Sequence, residues 1–164
     1  ITCRKSYEAC QSAKDAGIEN VGVFDLGILG WVQAHPDRTI FLGEFPANLK
    51  YLVSKEQLEN HMLSPQAFRA RVNQDSVVID IREPFQRKDG IILKDDSVHI
   101  PMDQFVSSID SIMQTKWAKG KELLIFDAVG KQVRWLQYHL VSKGVQNYYF
   151  LKGGVRAYQE KFGR

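Results

Sequence analysis

The stretch Lys121-Glu-Leu-Leu-Ile-Phe-Asp-Ala-Val-Gly-Lys-Gln132, continued to Tyr158, decides the fold. Residues 122–126 form an apolar strand and residues 127–132 a six-residue turn. Val133, Leu136, Leu140 and Val141 then recur at i, i+3, i+7 and i+8, so they share one face of a helix, which Gly144 stops. A second strand over 146–150 runs into Gly153-Gly154. In a strand-turn-helix unit the first helical amides have no partner within the helix and point into the turn with the positive end of the dipole. Such a turn is built to hold an anion.

These residues resemble the rhodanese (sulfurtransferase) domains. Their reactive cysteine opens a Cys-x-x-Gly loop between strand and helix, and their last strand ends in a Leu-x-Gly-Gly-x-x-x-Trp-like turn. Gly130 matches the loop glycine, Leu151-Lys-Gly-Gly154 the turn and Tyr158 the aromatic. Asp127 stands where the cysteine belongs. The family carries sulfur as a persulfide on a thiolate, which a carboxylate cannot do, so the resemblance implies a unit that is catalytically inactive at this loop. A carboxylate at a helix start is itself favourable by up to about 1 kcal/mol. Asp127, Ala128, Val129, Gly130, Lys131 and Gln132 therefore read either as a retired active site capped by Asp127 or as a loop that still binds an anion or a partner.

The 164 residues suffice for one domain, or one and part of another. A composition of 44% hydrophobic and 25% charged residues is that of a soluble globular chain. No apolar run reaches the roughly 20 residues of a membrane-crossing helix, and no signal-peptide pattern opens the chain. The sequence lacks an initial methionine, which suggests that Ile1 follows a cleavage point or another artificial boundary. The expected setting is soluble and cytoplasmic. Residues 127–164 carry seven Lys and Arg against two acids, while the whole chain is only +3. This basic C-terminal segment fits a small oxyanion such as thiosulfate or an acidic protein partner. Neither a nucleic-acid motif nor a membrane segment is present, and no cofactor is called for. Cys3 and Cys10 are the only cysteines, and the four histidines are scattered, so no metal-ligand spacing arises.

Gly17-Ile-Glu-Asn-Val-Gly-Val-Phe-Asp-Leu-Gly27 aligns without a gap on Gly144-Val-Gln-Asn-Tyr-Tyr-Phe-Leu-Lys-Gly-Gly154, with Trp31 falling on Tyr158. A helix over 6–16 would match that over 132–143. Self-similarity of this kind indicates a repeated unit, so residues 1–32 read as the closing part of a first rhodanese-like unit. Cys3 lies where that unit's nucleophile would stand, in a loop three residues shorter and with Ser6 replacing the loop glycine. Residues 33–50, with two prolines and no sustained period, read as a linker. The complete unit is 51–164.

Within it, Ser54-Lys-Glu-Gln57 has capping-box spacing, and Ser64-Pro65 is an N-cap followed by proline at the first helical position. The β-branched run 76–81 suits a strand covered on both faces. Asp80-Ile-Arg-Glu-Pro84 resembles the family's Asp-x-Arg-x-Pro signature, which implies that Asp80 and Arg82 brace the loops beside the site. The family's Gly-His-Ile-Pro turn has diverged to Gly90-Ile-Ile-Leu-Lys-Asp95, and Ile-Pro recurs only at Ile100-Pro101. Met102, Phe105, Val106, Ile109, Ile112 and Met113 mark an amphipathic helix.

The expected architecture is α/β, a rhodanese-like parallel sheet flanked by helices with part of a second such unit at the N-terminus. Two functions follow. In one, the complete domain is inactive and binds an anion or a partner, or supports its neighbour. In the other, the protein is a thiosulfate or persulfide sulfurtransferase working through Cys3 or a cysteine before Ile1.

Overall fold

Two apolar runs, Ser76–Asp80 and Glu122–Phe126, lie side by side in parallel and carry the residues that matter at their C-terminal ends. The computed structural model describes residues 4–87, 93 and 97–163. The chain divides into two units, Ile1–Leu52 and Val53–Arg164.

In the first unit α1 (Arg4–Asp15) and α2 (Gly27–Ala34) are joined by a segment of turns and irregular chain. Short 3-10 turns follow at Pro36–Arg38 and Leu49–Tyr51, with one local bridge between Phe41 and Glu44. These fall in the stretch read as a linker and are grouped with the first unit.

The second unit runs α3 (Lys55–Asn60), β1 (Met62–Leu63), α4 (Pro65–Arg71), β2 (Ser76–Asp80), β3 (Val98–His99), α5 (Met102–Ile112), β4 (Glu122–Phe126), α6 (Gln132–Ser142), β5 (Tyr148–Leu151) and α7 (Gly154–Phe162). All five strands are parallel, in the order β1-β5-β4-β2-β3. The capping box forms as the spacing requires. Ser54 Oγ accepts from the Gln57 amide, and Gln57 Oε1 accepts from the Ser54 amide. Ser64 Oγ likewise accepts from the Ala67 amide and starts α4.

Because side chains alternate across a strand, the middle strands feed two cores. Val77, Ile79, Leu123 and Ile125 pack with α5 and α6, whereas Val78, Leu124 and Phe126 pack with Phe68 of α4 and Val155 of α7. This double covering is why Val77–Ile79 and Leu123–Phe126 are apolar without alternation. β1 and β3 have only two residues each and carry no readable period. Their strand character comes from pairing with β5 and β2. β5 begins at Tyr148 rather than at residue 146, since its pairing with β4 opens at Leu123↔Tyr148.

The two aligned segments, Gly17–Gly27 and Gly144–Gly154, behave alike in their turns. After α1 the Gly17 amide donates to Lys14 O and the Ile18 amide to Ala13 O. After α6 the Gly144 amide donates to Val141 O and the Val145 amide to Leu140 O. Gly27 and Gly154 both take φ +63° and open the following helix. The likeness stops at the strand, for Val21–Phe24, the counterpart of β5, forms none among the described residues.

Phe68 is 1% exposed at the centre of the second core. Truncation to Ala should cost about 3–5 kcal/mol, seen as a lower urea midpoint with an unchanged slope.

Candidate functional site

The loop after β4 closes around one side chain. Asp127 is 1% exposed, and its carboxylate accepts four backbone N–H bonds. Oδ1 takes Val129 N at 3.0 Å and Gly130 N. Oδ2 takes Gln132 N at 2.6 Å and Val133 N at 3.3 Å. An ionised carboxylate offers about four lone-pair positions, so the four amides fill it. The carboxylate stands at the start of α6.

The loop is also held from outside. The first amides of α7 donate into it, Val155 N to Asp127 O at 2.9 Å and Arg156 N to Ala128 O at 3.1 Å. Two glycines allow this approach. A Cβ on Gly154 would lie 2.5–2.6 Å from Val129 N, Ala128 C and Asp127 O. One on Gly130 would lie 2.7 Å from Gly153 N, at φ +74°. The Gly-Gly turn is legible in the sequence, but its role as a mould for the loop is not, because the contact joins residues far apart in the chain. Outside this mould Lys131 is exposed, as are Val129 and Trp135, at 45% and 48%.

Asp80 and Arg82 lie at the end of β2, next to the loop's base. Both side chains are 1% exposed. Arg82 Nε donates to Asp80 Oδ1 at 2.9 Å and Nη2 to Oδ2 at 2.8 Å, while the Arg82 amide also donates to Oδ1 at 3.0 Å. Arg87 Nε is 3.0 Å from Oδ2, close enough to pair by charge but without hydrogen-bond geometry. The Arg82 guanidinium lies over the Phe126 ring at 5.5 Å, and Ile81 N donates to Phe126 O at 3.0 Å. Through Phe126, the residue before Asp127, this ion pair touches the loop's base. The Arg82 carbonyl is in turn hydrogen-bonded to His99 Nε2 at 2.8 Å. His99 and Arg87 were not singled out in the sequence, and no local pattern marks them.

Cys3 and the divergent 90–95 segment, Leu93 apart, lie outside the described residues. Cys10 is a free thiol, half-buried, with Sγ 3.7 Å from Val21 O.

The rhodanese-like domain model matches residues 64–161, more than half of the chain. This protein belongs to the rhodanese-like domain family. Among solved structures, the rhodanese-like domain of an Anabaena protein is 20% identical, with a TM-score of 0.52, and the match covers 63% of this chain and 76% of that one. A Rhodopseudomonas palustris protein, described as a possible tyrosine phosphatase, is 15% identical at a TM-score of 0.50, covering 68% and 93%. A Bacillus anthracis CoADR-RHD structure is 18% identical at 0.50, and the match covers 94% of this chain and 26% of that one. These likenesses concern the fold. No curated protein matches the chain. No helix among the described residues of this rhodanese-like chain is long and apolar enough to cross a membrane.

Asp127→Asn keeps the side chain's size but turns one acceptor oxygen into a donor facing two amides. The loss should be about 2–3 kcal/mol, the scale of hydrogen bonds to a charged group, measured by urea unfolding. Gly154→Ala should cost a comparable amount, about 2–4 kcal/mol, from the left-handed backbone and the collision with the loop. Amide exchange over 127–133 should speed up in that variant.

Proposed function

We propose that the rhodanese-like domain Val53–Arg164 carries no sulfur itself and serves as the inactive, supporting half of a tandem protein of sulfur metabolism. The observation that carries this reading is Asp127, whose carboxylate fills all four amides of the loop. A sulfur-carrying loop needs a thiolate there, and a free oxyanion such as thiosulfate needs those donors vacant. With the cradle occupied, a protein partner or a neighbouring unit fits the domain better than a small anion. The exposed Val129, Lys131 and Trp135 beside the loop give such a partner apolar surface and positive charge. The tandem part of the reading is supported by the matched turns after α1 and α6 and by the shared φ of Gly27 and Gly154. On this reading residues 1–32 close a first unit.

A second reading assigns activity to that first unit. α1 begins at Arg4, immediately after Cys3. A thiol just ahead of a helix in the sequence, followed by Arg4 and Lys5, would favour the thiolate. Cys3 would then take the outer sulfur of thiosulfate, release sulfite, and pass the sulfur to cyanide as thiocyanate.

One assay separates the two. The chain treated with thiosulfate and cyanide should form no thiocyanate, and mass spectrometry should find no added sulfur atom on Cys3. Sulfur on Cys3, lost in Cys3→Ser, would establish the second reading. Thiocyanate formed by a Cys3→Ser, Cys10→Ser chain would overturn the inactivity of the second unit. As a positive control, Asp127→Cys should place a thiol among the same amides. Its pKa, read from thiolate ultraviolet absorbance, should fall below the free value of about 8.5.

A further inference from the structure

In the sheet order β1-β5-β4-β2-β3, β2 leads on to β3 at one side and β4 to β5 at the other. The loops leaving β2 and β4 therefore part in opposite directions at neighbouring strand ends, the place where an open parallel sheet receives ligands. Among the described residues of the second unit, the exposed large apolar side chains are Phe85, Val129 and Trp135, and all three stand at this edge. Phe85, 68% exposed, lies in the Pro84–Arg87 turn after β2, Val129 in the loop after β4, and Trp135 in the first turn of α6.

The charges at this edge are unevenly answered. Arg87 pairs with Asp80, Lys152 with Glu59 and Arg156 with Glu160. Lys131, exposed, and Arg134, half-buried, have no acidic partner among the described residues, and both lie between Val129 and Trp135 in the chain. Asp127 takes the four loop amides, so a negative group arriving here meets side-chain cations rather than backbone donors.

We propose that this edge docks an acidic segment of a partner protein, whose carboxylates pair with Lys131 and Arg134 while an apolar side chain covers Val129 and Trp135. The proposal rests on the reading of the loop as an occupied, inactive site and names the partner that such a site retains. Positive charge orients the segment, and desolvated apolar contact supplies most of the affinity. Glu83, just before the Phe85 turn, and Asp103, exposed in the first turn of α5, set the limit on the other side. α5 starts at this edge, since the Met102 amide donates to Ile81 O. Carboxylates are repelled there, so the acids of the segment stay over α6 and only its apolar residues reach Phe85.

The test uses the 164-residue chain with Trp31→Phe and Trp117→Phe, so that Trp135 reports alone. The probes are short peptides alternating Glu with Leu, Lys with Leu, and Glu with Ser. The Glu/Leu peptide should shift Trp135 emission and shield it from acrylamide, with an affinity that falls as salt rises. Lys131→Glu with Arg134→Glu should weaken that binding on the order of tenfold and admit the Lys/Leu peptide instead. Should that pair lower the urea midpoint, Lys131→Gln with Arg134→Gln gives the same loss in smaller degree. Phe85→Ser should weaken the Glu/Leu peptide without changing its salt dependence. No Trp135 response at millimolar Glu/Leu peptide, a response that survives charge reversal, or equal binding of the Glu/Ser peptide overturns the proposal. So does dimerisation that shields Trp135, since a second copy then holds the edge. Thiocyanate formation by the Cys3→Ser, Cys10→Ser chain, measured alongside, separates the two readings. If none forms and the peptide does not bind, only the docking surface fails, whereas thiocyanate overturns the inactive site on which it rests.

Discussion

A carboxylate buried within its own backbone loop governs the arrangement at the sheet's C-terminal edge. Removing a charge from water is costly unless donors replace the solvent, and at Asp127 four amides do so. That arrangement fixes more than one side chain. Val129 and Gly130 must turn inward, Gln132 and Val133 must begin α6, and the loop's outer carbonyls must face α7, whose first amides they accept. The end of β4, the start of α6 and the β5–α7 turn are thereby locked to one another. Glycine at 130 and 154 is the steric condition for that lock.

Beside this centre stands a second buried charge system, Asp80 with Arg82 and Arg87. An ion pair with both partners 1% exposed contributes little net stability, because its desolvation cost offsets most of the attraction. Its value here is positional. The paired groups hold the end of β2 against Phe126, and His99 fixes the Arg82 carbonyl from β3. Three neighbouring strand ends, those of β4, β2 and β3, are thus tied by polar contacts that a purely apolar edge would lack, and the loop follows the first of them, β4.

Much of this was legible in the sequence because it depends on local chemistry. Ser54 and Ser64 cap their helices through residues three positions on, and the apolar runs of β2 and β4 announce strands covered on both sides. The identity of residue 127 alone excludes persulfide chemistry there. What was not legible depends on partners distant in the chain. Two-residue strands such as Met62–Leu63 exist only as pairing to β5, and the boundary of β5 is set by its register against β4. The closure of the loop by α7 depends on contacts between residues some 27 positions apart. The role of Arg87 depends on where the chain after Pro84 turns back toward Asp80.

The two aligned segments separate these two kinds of information more sharply than any single element. Gly17–Gly27 and Gly144–Gly154 share a pattern, and the features set by the local chain are shared as well: the bonds that end the preceding helix and the left-handed glycine that opens the next. What differs is strand pairing and burial, which the local chain cannot supply. Tyr148–Leu151 is a strand because Leu123–Ile125 lie on one side and Met62–Leu63 on the other. Val21–Phe24 aligns with such a strand but has no neighbouring strands among the described residues; Phe24 stays exposed and Val21 and Val23 are only half-buried. β-Propensity is largely a measure of fit to a pleated, half-buried surface, and this chain contains the same motif with that surface and without it.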